Sequence, residues 1–434
     1  MAVFKESDPA GSGTPQVGTP QVSRPLSGSV VRRYAAVFGP GIVVMLADTD
    51  VGSVITAGQS GAQWGYRLLL LQFLLMPILF IVQELTVRLG LFTGRGHGEL
   101  IRDTFGAFWA WVSAAGLTVA VLGALVTELS GVAGVGELYG LPRWISLALA
   151  AAVLLGLVFT GSYRRVERVA IGLGLFELAF FVVAWWAQPG IGEMAAGAFD
   201  IPWDQKEYVY LAAANIGAVI MPWMVFYQQS AVAEKRLRPE HLAAARTDTA
   251  IGAVVTQLIM AAVLVAAAAT IGRGGRSDAG MDTVGDLAGA LIPFLGDGMG
   301  KLVFSMGILG AGMVASIVAT LALAWGLGEV AGYKRSLDLR PSDATWFYGV
   351  YGVGVLGCAV MVLVWPNLVA LNIGVQIMNA LLLPLVLGFL VALARRALPP
   401  AVRLHGWYFW LVCVLIGVTT ALGVFGGLNG AGLV

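Results

Sequence analysis

The sequence predicts an all-helical protein that crosses a membrane many times. Of its 434 residues, 58% are hydrophobic and only 12% are charged, and the net charge is +1. A soluble domain carries about 25% charged residues. Apolar runs of about 20 residues, the length at which a helix spans a bilayer, recur along the chain. We therefore expect an all-α polytopic membrane protein that has the lipid bilayer as its environment and no nucleic-acid partner.

Eleven apolar runs predict eleven transmembrane helices, numbered here as spans 1 to 11. Their approximate limits are 35–65, 68–92, 108–138, 143–161, 166–187, 208–234, 241–272, 299–328, 344–364, 367–394 and 405–427. Residues 1–30 are rich in Ser, Gly, Pro and Thr and lack the apolar core of a signal peptide, which predicts a disordered cytoplasmic tail. We expect residues 31–434 to form a single transmembrane domain.

The basic residues predict the orientation of the chain. If the N-terminus lies inside, 20 of the 26 Lys and Arg residues fall on the cytoplasmic side of the membrane. Cytoplasmic loops carry such an excess of positive charge. The sequence therefore predicts a cytoplasmic N-terminus, an outer C-terminus and a location in the bacterial inner (plasma) membrane.

Two polar interruptions lie in the middle of spans 1 and 6. They are the runs Asp48–Ser53 and Asn215–Pro222. A carboxylate at bilayer depth costs roughly 2.5–3.5 kcal/mol, so it is usually kept where it lines a site. Spans 1 and 6 begin on opposite sides of the membrane. Broken helices at these matching places predict a five-plus-five inverted repeat, about 35–187 and 208–394, with an extra helix at 405–427, as in secondary transporters.

The first interruption offers oxygen ligands for a hard or borderline cation. Asp48 and Asp50 supply carboxylates, and Ser53 supplies a hydroxyl group. The alternative for one of the two aspartates is to cap the second half-helix through its free N–H groups.

The second interruption adds a carbonyl and a sulfur. Pro222 removes the helical hydrogen bond to the carbonyl of Ala218, which leaves that carbonyl free to bind an ion. Met221 carries a thioether, a soft ligand that favours transition metals over magnesium or calcium. Ordinary packing in the core is the alternative for this methionine.

Spans 3 and 10 contribute further polar side chains. In span 10, Gln376 shares a helical face with Asn372 and Asn379, so it either completes a cation's coordination or holds helices together. In span 3, Glu128 beside Thr127 is central in the membrane and suits proton transfer or an ion pair. All three histidines fall in loops or at helix ends, so none serves as a ligand in mid-membrane.

Three more acids lie within apolar spans. Glu84 and Glu137 are near the ends of their helices, where an ion-paired or solvated role is expected, and Glu177 lies in span 5. No nucleophile–base pair or hydrolase motif accompanies them, so we do not expect an enzyme.

In their order and spacing, these segments resemble the NRAMP (natural resistance-associated macrophage protein) family of divalent-metal transporters. The resemblance runs from residue 38 to about 390. It rests on Phe38–Gly41, on Asp50–Ser53 where the family has Asp-Pro-Gly-Asn, on Arg88–Gly94, on Gly217–Pro222 for Ala-x-x-Met-Pro-His, and on Val375–Gln376 for Ser-Gln. It implies a LeuT-like fold in a divergent bacterial-type member.

The resemblance also implies a ligand set for the transported metal. Asp50, the Ala218 carbonyl and Met221 match the family's ligands, and Gln376 joins them when the site is occluded. Several positions depart from the family pattern. In span 1, Ser53 replaces the family's asparagine, Val51 replaces its proline, and Asp48 is an additional carboxylate. In span 6, Trp223 and Gln228 replace two histidines. In span 3, Glu128 and Gly131 stand at an aspartate–glutamate pair linked to proton transfer.

The expected function is therefore secondary transport of a divalent metal cation by alternating access, without a resident cofactor. The retained Met221 favours Mn²⁺ or a similar transition metal. Because positions that carry protons are altered, proton coupling is expected to be weak or rerouted, with Glu128, Thr127, Trp223 and Gln228 as candidate pathway or gating residues. Two alternatives remain open. One is a carrier of Mg²⁺ or of divalent cations more broadly without proton coupling, and the other is an amino-acid or organic-solute symporter of the same fold.

Overall fold

Every regular element in the described part of the chain is a helix. The computed structural model describes residues 37–271, 284–295, 298–365 and 369–430, so the tail predicted at 1–30 lies outside the described residues. Within these ranges, nine helices are long and apolar enough to cross a membrane, and a bent pair of helices supplies a tenth candidate. This confirms the prediction of an all-helical membrane protein.

The helices are numbered in chain order. They are α1 (Pro40–Asp48), α2 (Val51–Trp64), α3 (Leu69–Thr93), α4 (His97–Phe105), α5 (Ala107–Leu138), α6 (Arg143–Val158), α7 (Tyr163–Gly174), α8 (Ala179–Trp186), α9 (Ile191–Ala198), α10 (Lys206–Val219), α11 (Pro222–Glu234), α12 (Leu242–Thr270), α13 (Val284–Leu295), α14 (Met299–Ala331), α15 (Thr345–Val364), α16 (Val369–Arg396) and α17 (Gly406–Gly430), with 3₁₀ turns at Leu175–Leu178 and Pro239–His241.

The helix bounds follow the predicted spans, with one shorter than expected. Span 4 was predicted at 143–161, but α6 ends at Val158 and has 16 residues. The chain then turns at Gly161, whose φ of +62° suits glycine. The predicted count of eleven spans is therefore not confirmed, and the orientation of the termini remains a prediction. The short helices α4, α9 and α13 were not predicted.

Span 1 is broken where the sequence placed its polar interruption. α1 and α2 meet at a bend of 47°. Asp50 has extended backbone angles, φ −71° and ψ 169°, and Thr49 also leaves the helical region. Carbonyl groups at the end of α1 and N–H groups at the start of α2 therefore lack helical partners.

Span 6 is broken at its own interruption, between α10 and α11. Met221 is extended, with φ −96° and ψ 141°. Pro222 occupies the first turn of α11, where N–H groups have no acceptor within the helix, so the N–H that proline lacks costs no hydrogen bond. The stretch Lys206–Glu234 nevertheless forms one apolar span. This break therefore interrupts the hydrogen bonding without the large bend seen in span 1.

Both broken spans pass from one cluster of buried apolar side chains to another. The first cluster contains Val43–Ala47 of α1 and Trp223–Tyr227 of α11, and the second contains residues of α2 together with Leu211–Ala214 of α10. α1 and α2 thus pack mainly in different clusters, whereas α10 passes from the second cluster to the first before its break, since Ile216 and Val219 belong to the first. The polar groups of the first break lie where the apolar packing changes from one cluster to the other.

Candidate metal site

Two buried carboxylates face the N-terminus of α2. Asp50 is the N-cap residue, and its Oδ1 accepts a hydrogen bond of 2.6 Å from the N–H of Ser53. Oε2 of Glu128 accepts one of 2.9 Å from the N–H of Val51, and the side chains of Asp50 and Glu128 interact. The positive end of the α2 dipole stabilises both carboxylates. Of the two aspartates considered as caps, Asp50 is therefore the one that caps α2.

A hydrogen bond joins the two helix breaks directly. The hydroxyl of Ser53 donates to the carbonyl oxygen of Ala218 over 2.9 Å. The expectation that this carbonyl is left without a partner is therefore wrong, because a hydroxyl from span 1 replaces the helical N–H that Pro222 removes. A carbonyl oxygen has two lone pairs, and the Ser53 oxygen keeps lone pairs of its own. Both oxygens can still bind a cation.

Met221 lies inside the second break and is buried. It precedes Pro222, so its extended backbone follows from the steric demand that a proline places on the residue before it. The thioether therefore belongs to the break and not to a regular helical face.

Gln376 is brought to the second break by a close approach of α10 and α16. A Cβ built on Gly217 would lie 1.9 Å from the carbonyl oxygen of Gln376, so only glycine lets the two backbones touch here. The buried side chain of Gln376 accepts a hydrogen bond of 3.1 Å from the amide of Asn379. The amide oxygen is therefore paired within α16, while the Gln376 backbone lies against Gly217. Asn372 lies among residues whose side chains are not described.

The three other residues suggested for a proton pathway or a gate are all buried. The hydroxyl of Thr127 and the indole N–H of Trp223 have no hydrogen-bond partner. Gln228 donates to Thr249 over 2.9 Å and accepts from Thr86 over 3.2 Å, which links α11 to α12 and α3.

The structure adds Glu177 to the surroundings of the first break. Glu177 lies in the 3₁₀ turn within span 5, is fully buried and interacts with Thr49 and Asp48 across the break. The sequence carried a signal for this residue, since it is an acid within an apolar span. Its position beside Asp48 could not be read from the sequence.

The ligands available at the breaks are of mixed type. Within the described ranges, no three side chains of His, Cys, Asp or Glu lie close enough to hold a metal ion together. An ion bound here would combine the Asp50 carboxylate with the Ala218 carbonyl, the Ser53 hydroxyl and the Met221 thioether. Oxygen ligands with a thioether suit a borderline divalent metal.

The chain was compared with known protein families and curated sequences. A family described as natural resistance-associated macrophage protein-like (Nramp) matches residues 41–428. The divalent metal cation transporter MntH of Brucella suis is 30% identical over 312 residues, which cover 68% of this chain and 67% of that protein. The MntH of Bradyrhizobium diazoefficiens is 30% identical over 334 residues, which cover 74% of this chain and 72% of the relative.

Solved structures show the same fold. The manganese transporter of Eremococcus coleocola, in complex with an aromatic bis-isothiourea substituted compound, has a TM-score of 0.76 at 18% identity and covers 94% of this chain and 90% of its own. A Na⁺-coupled sialic acid symporter has a TM-score of 0.58 at 15% identity, covering 93% of this chain and 90% of its own. The predicted LeuT-like fold is confirmed. Since the family match spans almost all of the described residues, the chain belongs to the Nramp family of membrane transporters.

Proposed function

We propose that this protein is a secondary transporter that carries a divalent metal cation across the membrane, bound between the two helix breaks. The observation that carries the proposal is the hydrogen bond of 2.9 Å between Ser53 and Ala218. It holds the carbonyl of span 6 against the turn that follows Asp50. The names of the MntH relatives, divalent metal cation transporters, support the same substrate class.

The proposed ligands are Asp50, the Ala218 carbonyl, Met221 and Ser53. Gln376 would join them when the site is occluded, and Asp48 supplies a further carboxylate close to the site. The thioether favours Mn²⁺ or a similar transition metal over Mg²⁺. A carrier of Mg²⁺ or of divalent cations more broadly is the second candidate. It is favoured by the number of carboxylates around the first break, because carboxylates are hard ligands that Mg²⁺ and Ca²⁺ also bind.

Alternating access is proposed to arise from movement of one set of half-helices against the other. α1 and α11 pack in one apolar cluster, while α2 and most of α10 pack in the second. Rocking of these two halves about the breaks would expose the ion to one side of the membrane and then to the other. Asp50, Ala218 and Met221 are all at most 1% exposed, so the proposed site is closed to solvent in this structure.

We further propose that proton coupling is weak or follows a different route. By the resemblance described above, Trp223 and Gln228 stand where the family pattern has histidines, and neither side chain titrates in the physiological range. Glu128 is then the remaining acid of span 3 beside the site, and its Oε1 has no hydrogen-bond partner. The proposed location is a bacterial inner membrane with the N-terminus inside, as the distribution of basic residues favours.

The test is cation flux in proteoliposomes, with Mn²⁺, Mg²⁺ and Ca²⁺ supplied in turn and internal pH followed by a dye. We expect Mn²⁺ uptake by the unmodified protein and none by Asp50→Ala. Glu137→Gln is a matched control, because Glu137 is a half-exposed acid that pairs with Arg143 at a helix end. Uptake retained by Asp50→Ala would overturn the site. If the unmodified protein moves none of the three cations, an organic-solute symporter becomes the better explanation.

A further inference from the structure

A second pair of carboxylates lies at the first break, on the side of α1. Asp48 is the last residue of α1 and is 1% exposed, and Glu177 of span 5 is 0% exposed. All four of their carboxylate oxygens lack a hydrogen-bond partner. The end of α1 packs against the chain just before Glu177, because a Cβ built on Gly174 would lie 2.6 Å from the side chain of Leu46. Glu177 interacts there with Asp48 and Thr49.

Other buried carboxylates in the described part of the chain have partners. Arginines, a hydroxyl or backbone N–H groups bind at least one oxygen of each. Glu84 pairs with Arg88 and Arg246 at 2.6 Å each, Glu329 accepts from Gly98 at 2.8 Å and Ser230 at 2.6 Å, and Asp248 accepts from Gly41 at 2.8 Å. Burying an acid without a partner costs several kcal/mol, on the order of the penalty for an isolated buried ion. Asp48 and Glu177 therefore need an explanation that the helix packing does not provide.

The two ends of the broken helix differ in their electrostatics. At the start of α2, free N–H groups and the positive dipole end stabilise Asp50 and Glu128. At the end of α1, the dipole end is negative and the last carbonyls lack helical partners. An ionised Asp48 or Glu177 would add negative charge to this negative end, and within the described ranges no Lys, Arg or His forms an ion pair with either of them. This favours a bound cation.

We propose that Asp48 and Glu177 bind a second cation, at a site distinct from that of Asp50, Ala218 and Met221. Its ligands would be carboxylates, the carbonyls at the end of α1 and the hydroxyl of Thr49, which shares a hydrogen bond of 2.5 Å with Thr256. A set made only of oxygens, without sulfur, suits a hard divalent cation such as Ca²⁺ or Mg²⁺. The 3₁₀ turn that carries Glu177 interrupts span 5 at this level, as such turns do at functional positions.

This inference rests on the proposed function only in placing the transported metal at Asp50. The test is therefore a binding measurement that reports both sites separately. The purified full chain is dialysed to equilibrium against Mn²⁺ and Ca²⁺ together, and the bound metals are counted by elemental analysis. We expect one Mn²⁺ and one Ca²⁺ per chain. Glu177→Gln should lose Ca²⁺ and keep Mn²⁺, and Asp50→Asn should lose Mn²⁺ and keep Ca²⁺.

Retained Mn²⁺ binding shows that the Glu177→Gln protein is folded, and Glu137→Gln should bind both metals. Loss of a group that only hydrogen-bonds to a metal ligand costs about 10–100-fold in metal affinity, so loss of a ligand carboxylate should weaken Ca²⁺ binding by at least about 100-fold. The second site is overturned if Ca²⁺ binds only in competition with Mn²⁺, if the unmodified protein binds Mn²⁺ alone, or if Glu177→Gln keeps its Ca²⁺. Absence of Mn²⁺ binding with Ca²⁺ binding intact would instead count against the proposed function.

Discussion

The side chain of Val51 fills the space that a side chain at Gly131 would need. A Cβ built on Gly131 would lie 2.5 Å from Cγ1 and 2.6 Å from Cγ2 of Val51. Both positions depart from the family pattern, which has a proline and an acid there. The two departures are therefore in direct contact, and the carboxylate that is absent from position 131 has no room while valine occupies position 51.

This contact predicts that Gly131→Ala destabilises the protein and that Val51→Ala in the same chain partly restores it. Overpacking costs about 1–3 kcal/mol, and residues in contact show coupling energies of about 0.5–3 kcal/mol. Thermal unfolding of both single variants and the double variant in detergent measures the coupling. Strictly additive effects would show that the two residues do not compete for space.

Replacement of Met221 by Ala is expected to shift selectivity towards hard cations, because the site loses its soft ligand. Competition by Cd²⁺ for Mn²⁺ uptake should weaken by about tenfold or more, which corresponds to roughly 1.4 kcal/mol or more. Met224→Ala is the matched control, since Met224 is equally buried in α11 but lies outside the break. Unchanged competition by Cd²⁺ in Met221→Ala would remove the role given to the sulfur.

Ser53→Ala is expected to weaken Mn²⁺ binding and to lower stability modestly. The substitution removes the only described hydroxyl that donates to Ala218 across the breaks, and a hydrogen bond of this kind contributes about 0.5–1.5 kcal/mol. Ser130→Ala removes a local hydrogen bond within α5 and should leave Mn²⁺ affinity unchanged. Equal Mn²⁺ affinity in both variants, measured by titration calorimetry, would argue against a bridging role for Ser53.

Gly217→Ala is expected to separate α10 from α16 and to abolish transport. Its Cβ would overlap the carbonyl oxygen of Gln376, a backbone atom that cannot move without moving the helix. The expected loss of stability is about 1–3 kcal/mol or more. Gly388→Ala, in α16 where nothing lies near the added carbon, is the control and should be neutral or slightly stabilising. Normal uptake by Gly217→Ala would show that this helix contact is not needed.

Stability is expected to fall on acidification because of His97, which lies outside the membrane spans. Burial lowers the pKa of His97 from 6.5 to about 4, and its Nδ1 lies 2.9 Å from Oε1 of Gln229. The unfolded chain therefore binds this proton more readily, so stability decreases as pH falls from about 6.5 to about 4, by up to roughly 3 kcal/mol. The loss is complete below the folded-state pKa.

The variant His97→Asn keeps a polar group near Gln229 but does not titrate, so its unfolding temperature should vary less over this pH interval. The exposed His405 provides the matched control, and His405→Asn should retain the pH dependence of the unmodified protein. An identical pH dependence in His97→Asn would assign the effect to another group.

The class of protein, the limits of most helices and the positions of both breaks could be predicted from the sequence. The reason is that a membrane span is a local property. A run of about 20 apolar residues is needed to satisfy the backbone within the bilayer. A polar group, glycine or proline in the middle of such a run is visible without knowledge of any neighbour. Asp50, Ala218 and Met221 were predicted as ligands in this way, and that assignment remains a prediction.

Only the tertiary structure decided which side chains meet. Ser53 contacts Ala218 across 165 positions of sequence, and Glu177 reaches the end of α1 from span 5. The structure likewise distinguished Asp50, which caps α2, from Asp48, which has no partner. Such contacts depend on how each helix is rotated about its axis and on where glycines allow backbones to approach. Hydropathy does not record these features, because lipid and protein interior are equally apolar.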